Sequence, residues 1–298
     1  MPPFNMEMFV MQLINGLSIG SIYALVALGY TMVYGIVKLI NFAHGDVIMV
    51  GAYIIYLLVR YTGLPFVPAV LVAMAGCALL GFLMEKIAYK PLRNASRLSA
   101  LITAIGVSLF LQNLFMTIFR PDPRPFPAIA IQGSVRIFGN ATVSNLAIVT
   151  IVIAVVMMAL LQLLVKTTRI GKAMRAVSED AGAASLMGVN VNSTIAITFA
   201  VGSALAAVGS FLFASTFPQV QPFMGLDMGL KAFVAAVLGG IGIIPGAMLG
   251  GFLLGIVEVM TRAYISTQWS DAVVFSILIL VLLLKPSGLL GKTVGEKV

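Results

Sequence analysis

FVMQLINGLSIGSIYALVALGYTMVYGIV, residues 9–37, contains no Asp, Glu, Lys or Arg. A helix needs about 20 apolar residues to cross a bilayer, and this run exceeds that length. It is too long for the core of a signal peptide, and MPPFNMEM ahead of it lacks a basic residue, so it is expected to be retained as a helix. Similar apolar stretches recur at about 42–59, 64–84, 98–119, 144–165, 191–217, 229–260 and 271–284.

Composition agrees with this reading. Hydrophobic residues make up 60% of the 298 and charged residues 9%, against about 25% charged in a soluble domain. The mean hydropathy is +1.09. No polar linker separates two cores, so residues 1–298 read as one all-α membrane domain, a polytopic bundle of about eight transmembrane helices. The net charge of +8 does not point to nucleic acid, because the basic residues are confined to connections between apolar stretches. Cys77 is the only cysteine and His44 the only histidine, which excludes a disulfide framework and any metal site built from either residue type.

The basic residues also set sidedness, since Lys and Arg collect in cytoplasmic connections. Lys86, Lys90, Arg93 and Arg97 form one such connection, and Lys166, Arg169, Lys172 and Arg175 another. The stretches 98–119 and 144–165 lie between them, the even number this assignment demands. The proline-rich loop at 120–143 then faces outward although it carries Arg120, Arg124 and Arg136. Lys285, Lys292 and Lys297 place the tail inside, so an even number of crossings must follow Arg175. That parity requires 229–260 to be two pieces, a hairpin broken at GGIGIIPG that returns to the outer face. Gly239, Gly240, Gly242, Pro245 and Gly246 permit the break. Eight full crossings would put the N-terminus inside, whereas a re-entrant hairpin changes that parity.

A second break is expected in LINFAHGDVIMVGAY, where Asn41, His44, Gly45 and Asp46 open an otherwise apolar segment. Irregular backbone at membrane depth is tolerated only where protein buries it or where it lines a wet cavity. Asn41, His44, Asp46, Gly239, Gly240, Gly242 and Gly246 are therefore the expected lining of a translocation path. Small residues spaced by four, Gly16 with Gly20, Gly242 with Gly246 and Gly250, and Gly251 with Gly255, predict close helix packing in lipid. The few ionisable residues within apolar runs, Asp46, Lys231 and Glu258, with Asp227 at a segment edge, are expected near the interfaces or facing the bundle interior.

KTTRIGKAMRAVSEDAGAASLMGVN, residues 166–190, has a helical pattern in a cytoplasmic connection. Met174, Val177, Ala181 and Ala184 follow three-and-four spacing on one face, and Lys172, Arg175 and Glu179 on another. Gly182 and Gly188 are expected helix ends. The segment reads as a short helix, a turn and a second short helix outside the membrane, a docking element for a cytoplasmic partner. The alternative is a helix lying on the bilayer surface.

This pattern, G-K-A-M-R-A-V-x-E-D-x-x-A-A-x-L-M-G-V-N, resembles the cytoplasmic coupling loop of ATP-binding-cassette importer permeases, specifically the branched-chain amino-acid permease family of the LivH type. NGLSIGSIYALVALGYTMVYGIVKLINFAHGDVIMVGAY and VAAVLGGIGIIPGAMLGGFLLGIVE are similar to further segments of that family, in the same order. The resemblance implies a second homologous permease, two cytoplasmic ATPase subunits and an external solute-binding protein as partners. It also implies alternating access in the bacterial cytoplasmic membrane, with leucine, isoleucine and valine as cargo. Gly171, Met174, Arg175, Val177, Glu179, Asp180 and Gly188 would then form the ATPase-coupling element, Arg175, Glu179 and Asp180 by polar contacts and Met174 and Val177 by buried ones. The partners would use ATP and Mg, with no cofactor bound by this chain. GKT at Gly291, Lys292 and Thr293 is no phosphate-binding loop, because Pro286 occupies the first glycine position and a membrane helix precedes it. With no catalytic constellation for covalent chemistry, the chain is not expected to be an enzyme. Related permeases that carry urea or other small amides and amino acids keep the cargo open, and an ATP-independent channel or ion-coupled carrier is the competing class.

Overall fold

A computed structural model describes residues 6–291 apart from 94, 130, 132 and 140. The helices are α1 (Met6–Val37), α2 (His44–Leu57), α3 (Phe66–Met84), α4 (Arg97–Phe119), α5 (Asn145–Thr167), α6 (Arg169–Glu179), α7 (Ala181–Leu186), α8 (Val191–Thr216), α9 (Met224–Gly239), α10 (Ile244–Tyr264) and α11 (Ser270–Leu284). A π-helical turn over Leu58–Thr62 prolongs α2, and another over Glu85–Tyr89 prolongs α3. Seven helices among the described residues are long and apolar enough to cross a membrane, and α11 is a shorter apolar helix. The chain is a multi-pass membrane protein.

The bundle is built around α1 and α8. Nearly every residue from Gly20 to Val33 is buried, as is most of α8. Leu71 on α3, Phe110 on α4, Leu160 on α5 and Leu283 on α11 instead point outward, the surface expected to meet lipid tails. The spaced glycines do what the sequence predicts. A Cβ on Gly16 would come within 2.8 Å of the Ile256 Cα, and one on Gly20 within 2.7 Å of the Gly251 carbonyl oxygen. α1 and α10 therefore touch backbone to backbone, where van der Waals contact supplies the attraction that hydrophobic burial cannot give in lipid.

Helix directions follow from these contacts. Rising numbers on α1 meet falling numbers on α10, with Gly16 at Ile256, Gly20 at Gly251 and Gly35 at Gly242. With the basic connections inside, α10 runs outward and α1 runs inward, so α1 begins on the outer side. Among the described residues the bundle is then built from nine segments, α1 to α5 and α8 to α11, seven of them long and apolar enough to span. This odd number corrects the parity that eight full crossings would give. The 229–260 stretch is indeed two helices joined by a turn at the inner side, where Gly240 and Gly242 take φ of 110° and 93°, values that favour glycine. On the outer side, β2 (Ser134–Phe138) and β3 (Ala141–Ser144) form a hairpin, and β1 (Arg124–Pro125) pairs antiparallel with β4 (Gln219–Val220).

Candidate translocation path and coupling site

Two helices begin inside the membrane. α1 runs to the inner side, residues 38–43 turn back, and α2 starts beside Gly29 and Tyr30 in the inner third of α1. α8 runs to the outer side, residues 217–223 turn back, and α9 starts against the first turn of α2. Gly45 makes that contact possible, since a Cβ there would lie 2.6 Å from the Gly225 carbonyl oxygen and 3.2 Å from the Gly229 Cα. Gly229 also lies beside the Tyr30 hydroxyl. Gly229 is ten residues before the end of α9 at Gly239, which at 1.5 Å per residue puts the meeting point about 15 Å above the inner turn. Each half, helix, hook and broken helix, runs in the direction opposite to the other, the inverted arrangement found around transport sites.

The polar residues at the start of α2 are buried, and Asn41 and Asp46 are hydrogen-bonded from within the chain. Asn41 Oδ1 accepts from the Tyr89 hydroxyl at 2.7 Å, and Asp46 Oδ1 accepts from Gln112 Nε2 at 2.9 Å. The His44 imidazole fills the notch that Gly29 leaves in α1 and meets the Tyr30 ring edge-on at 4.8 Å. These three expected path residues thus brace the broken end of α2 and line none of the cavities described below.

Sequence reading did not place a second polar cluster in the outer half. Glu258 on α10 is fully buried and joined to the Arg262 guanidinium, to Lys231 Nζ at 2.6 Å and to the Tyr23 hydroxyl at 2.8 Å. Lys231 reaches on to Asp271 Oδ1 at 2.9 Å. Four helices, α1, α9, α10 and α11, meet in this network, and its two acids balance its two bases. Lys231 and Glu258 are visible in the sequence as charges in apolar runs, but nothing there shows that they meet.

The helix pair stands as predicted, with a different division of labour. Met174 is 3% exposed and belongs to the main core, while Val177 packs with Val33, Tyr89 and Phe199. Both face their own chain, which corrects their reading as contacts offered to a partner. Gly171 fits the tight passage from α5 to α6, because a Cβ would strike the Leu164 and Val165 carbonyls. Arg175 donates to the Val165 carbonyl at 2.6 Å, and Asp180 caps α7 by accepting from the Gly182 and Ala183 amides. Glu179 is exposed, and Gly188 ends the pair with φ of 83°. The most exposed apolar groups of the pair are Leu186 and Met187, 91% and 85% exposed.

The model of the family described as branched-chain amino acid transport system, permease component, matches residues 12–282. The chain belongs to this permease family. It is 43% identical to the high-affinity branched-chain amino acid transport system permease protein LivH of Salmonella typhimurium, over 97% of this chain and 98% of that one. It is likewise 43% identical to BraD of Pseudomonas aeruginosa, described in the same words, with the same shares covered. PsaBC from Streptococcus pneumoniae, solved in complex with Fab, is similar at a TM-score of 0.47 and 14% identity over 92% of this chain and 91% of that one.

Among the described residues of the permease, a sizeable cavity opens toward each side. The inner one, about 640 Å³, lies between the helix pair and the membrane domain and is walled by Lys38, Arg175, Glu179, Gly242 and Ser287 among others. The outer one, about 520 Å³, is walled by Gln12, Asn15, Ser18, Thr216 and Arg262 among others. Of the expected path glycines, Gly242 reaches the inner cavity. Gly239 and Gly246 press against each other, and Gly240 is covered by Gly288 and Gly291, so these three serve the α9–α10 turn.

Proposed function

We propose that this permease forms the membrane passage of an ATP-driven importer for branched-chain amino acids. In this reading it is paired with a second permease, driven by two cytoplasmic ATPase subunits and supplied by an external solute-binding protein. The observation that carries the reading is the family match over residues 12–282. The 43% identity to LivH and BraD over nearly the whole chain supports the cargo. The membrane is the bacterial cytoplasmic membrane, where ATP and Mg reach the ATPases from inside.

Coupling would pass through α6 and α7. Leu186 and Met187 offer the apolar knob that an ATPase groove could cover, while Met174 and Val177 transmit its displacement to the core around α1 and α8. The broken starts of α2 and α9 are the part of the membrane domain that such a displacement can rearrange, because their backbones touch with few side chains between them. The chain itself supplies no hydrolytic chemistry in this scheme.

Co-purification tests the docking assignment. Leu186→Asp with Met187→Asp is expected to reduce recovery of the ATPase subunits with the permease by more than tenfold, about 1.4 kcal/mol or more, while the permease itself inserts and is recovered normally. Met174→Asp is expected to lower the recovery of folded permease as a whole. Normal ATPase recovery in the double variant would show that the partner docks elsewhere.

A further inference from the structure

Asp227 is the one carboxylate among the described residues that projects, exposed, from the wall of a broken helix. It lies in the first turn of α9, and no hydrogen bond or ion pair reaches it among the described residues. Its counterpart in the first turn of α2, Asp46, is buried and held by Gln112. Gly225 and Gly229, on the opposite side of α9, face α2, so Asp227 points away from the chain's own core. Twelve residues separate it from the end of α9 at Gly239, which places it about 18 Å above the inner turn. That is close to half the thickness of a hydrocarbon core of about 30 Å.

A carboxylate at that depth is costly against lipid and marks a wet or protein-lined passage. Its surroundings specify what could use it. Phe223, Leu226 and Leu230 are exposed on the same face of α9. Lys231, one turn further on, is already engaged by Glu258 and Asp271. The network is balanced without Asp227, so the face carries one uncompensated negative charge beside an apolar strip. No group of three or more acidic, His or Cys side chains suited to a metal ion occurs among the described residues, and a single carboxylate falls short of the six or more oxygens that a calcium ion takes. One positive charge attached to an alkyl group is the matching chemistry.

We propose that Asp227 receives the α-ammonium group of the amino acid in transit, with Phe223, Leu226 and Leu230 taking its alkyl side chain. This rests on the importer reading above and deepens it. Proton transfer plays no part, since the ammonium keeps its charge and the carboxylate acts as a fixed counter-ion that is released when the helices rearrange.

The test uses the full importer reconstituted in proteoliposomes, with labelled leucine and ATP. Wild type must first accumulate leucine; failure there overturns the cargo reading and is seen before any variant is compared. Asp227→Asn is expected to lower uptake about tenfold, the loss of one charge-assisted contact, with co-purification of the ATPase and permease partners intact. In a Cys77→Ala background, Asp227→Cys should react with a membrane-impermeant anionic methanethiosulfonate, recover part of the uptake and be protected by leucine. A cationic reagent of similar size should not restore it. The proposal is overturned if Asp227→Asn transports like wild type, if the thiol resists impermeant reagents, or if both adducts behave alike. It is equally overturned if the substitution breaks the permease pair, which would make Asp227 a subunit contact.

Discussion

Glu258 is the residue whose partners most constrain the membrane domain. Its buried carboxylate answers Lys231 from α9, Arg262 one turn further along its own helix and the Tyr23 hydroxyl from α1. Removing one partner of a buried ionic group costs about 3–5 kcal/mol, because the remaining charges stay desolvated. Glu258→Gln, which keeps the shape, is therefore expected to lower stability by that amount in thermal or denaturant unfolding in detergent. A change within 0.5 kcal/mol, the usual range for a surface substitution, would show that the network is dispensable. The sequence displays Glu258 as a charge in an apolar run and so marks it as unusual. It does not disclose Lys231, 27 residues away, because a pairing across helices leaves no local pattern. The same limit separates Asp46 from Gln112 and Asn41 from Tyr89.

Periodicity and glycine spacing carry more at the level of helices. Close helix packing was legible in Gly16, Gly20, Gly251 and Gly255, since only small residues let two helices touch at the backbone, but the pairing of α1 with α10 was not. Gly20→Leu is expected to force the seam apart at a cost of at least about 1–3 kcal/mol, seen as loss of monodisperse protein after extraction. Unchanged yield and unfolding temperature would show that the seam can yield. The inner turn at Gly240 and Gly242 was also legible, through its glycines, its proline and the parity of the crossings. The start of α9 was not. PQVQPFMG reads as an ordinary connection, and the residues that make it dip into the membrane are contributed by β1 and by Gly45, far away in sequence. In α6, the apolar stripe was read as a face offered to a partner, because spacing alone cannot say whether such a stripe packs on a partner or on its own chain. Burial of Met174 and Val177 answers that question.

Taken whole, the molecule is a membrane bundle in which two inverted, broken-helix units meet through α2 and α9 beside a seam of backbone contact. An outer cavity is walled in part by residues 12–19 and an inner one by residues 31–38. With the basic connections inside, α1 must start outside, a topology open to direct measurement in intact cells. In a Cys77→Ala background, Met6→Cys and Val135→Cys should be labelled by an impermeant thiol reagent, and Leu186→Cys only after the membrane is breached. Labelling of Leu186→Cys from outside would invert the assignment. The central claim is that solute movement through this bundle is driven from the α6–α7 pair. It is tested most directly by ATP-dependent uptake of labelled leucine into proteoliposomes holding the permease and its partners, comparing wild type with the Leu186→Asp, Met187→Asp variant. The account predicts accumulation that requires ATP and is lost in the variant although the protein inserts normally. Leucine entry without the ATPase subunits, or undiminished transport by the variant, would contradict it.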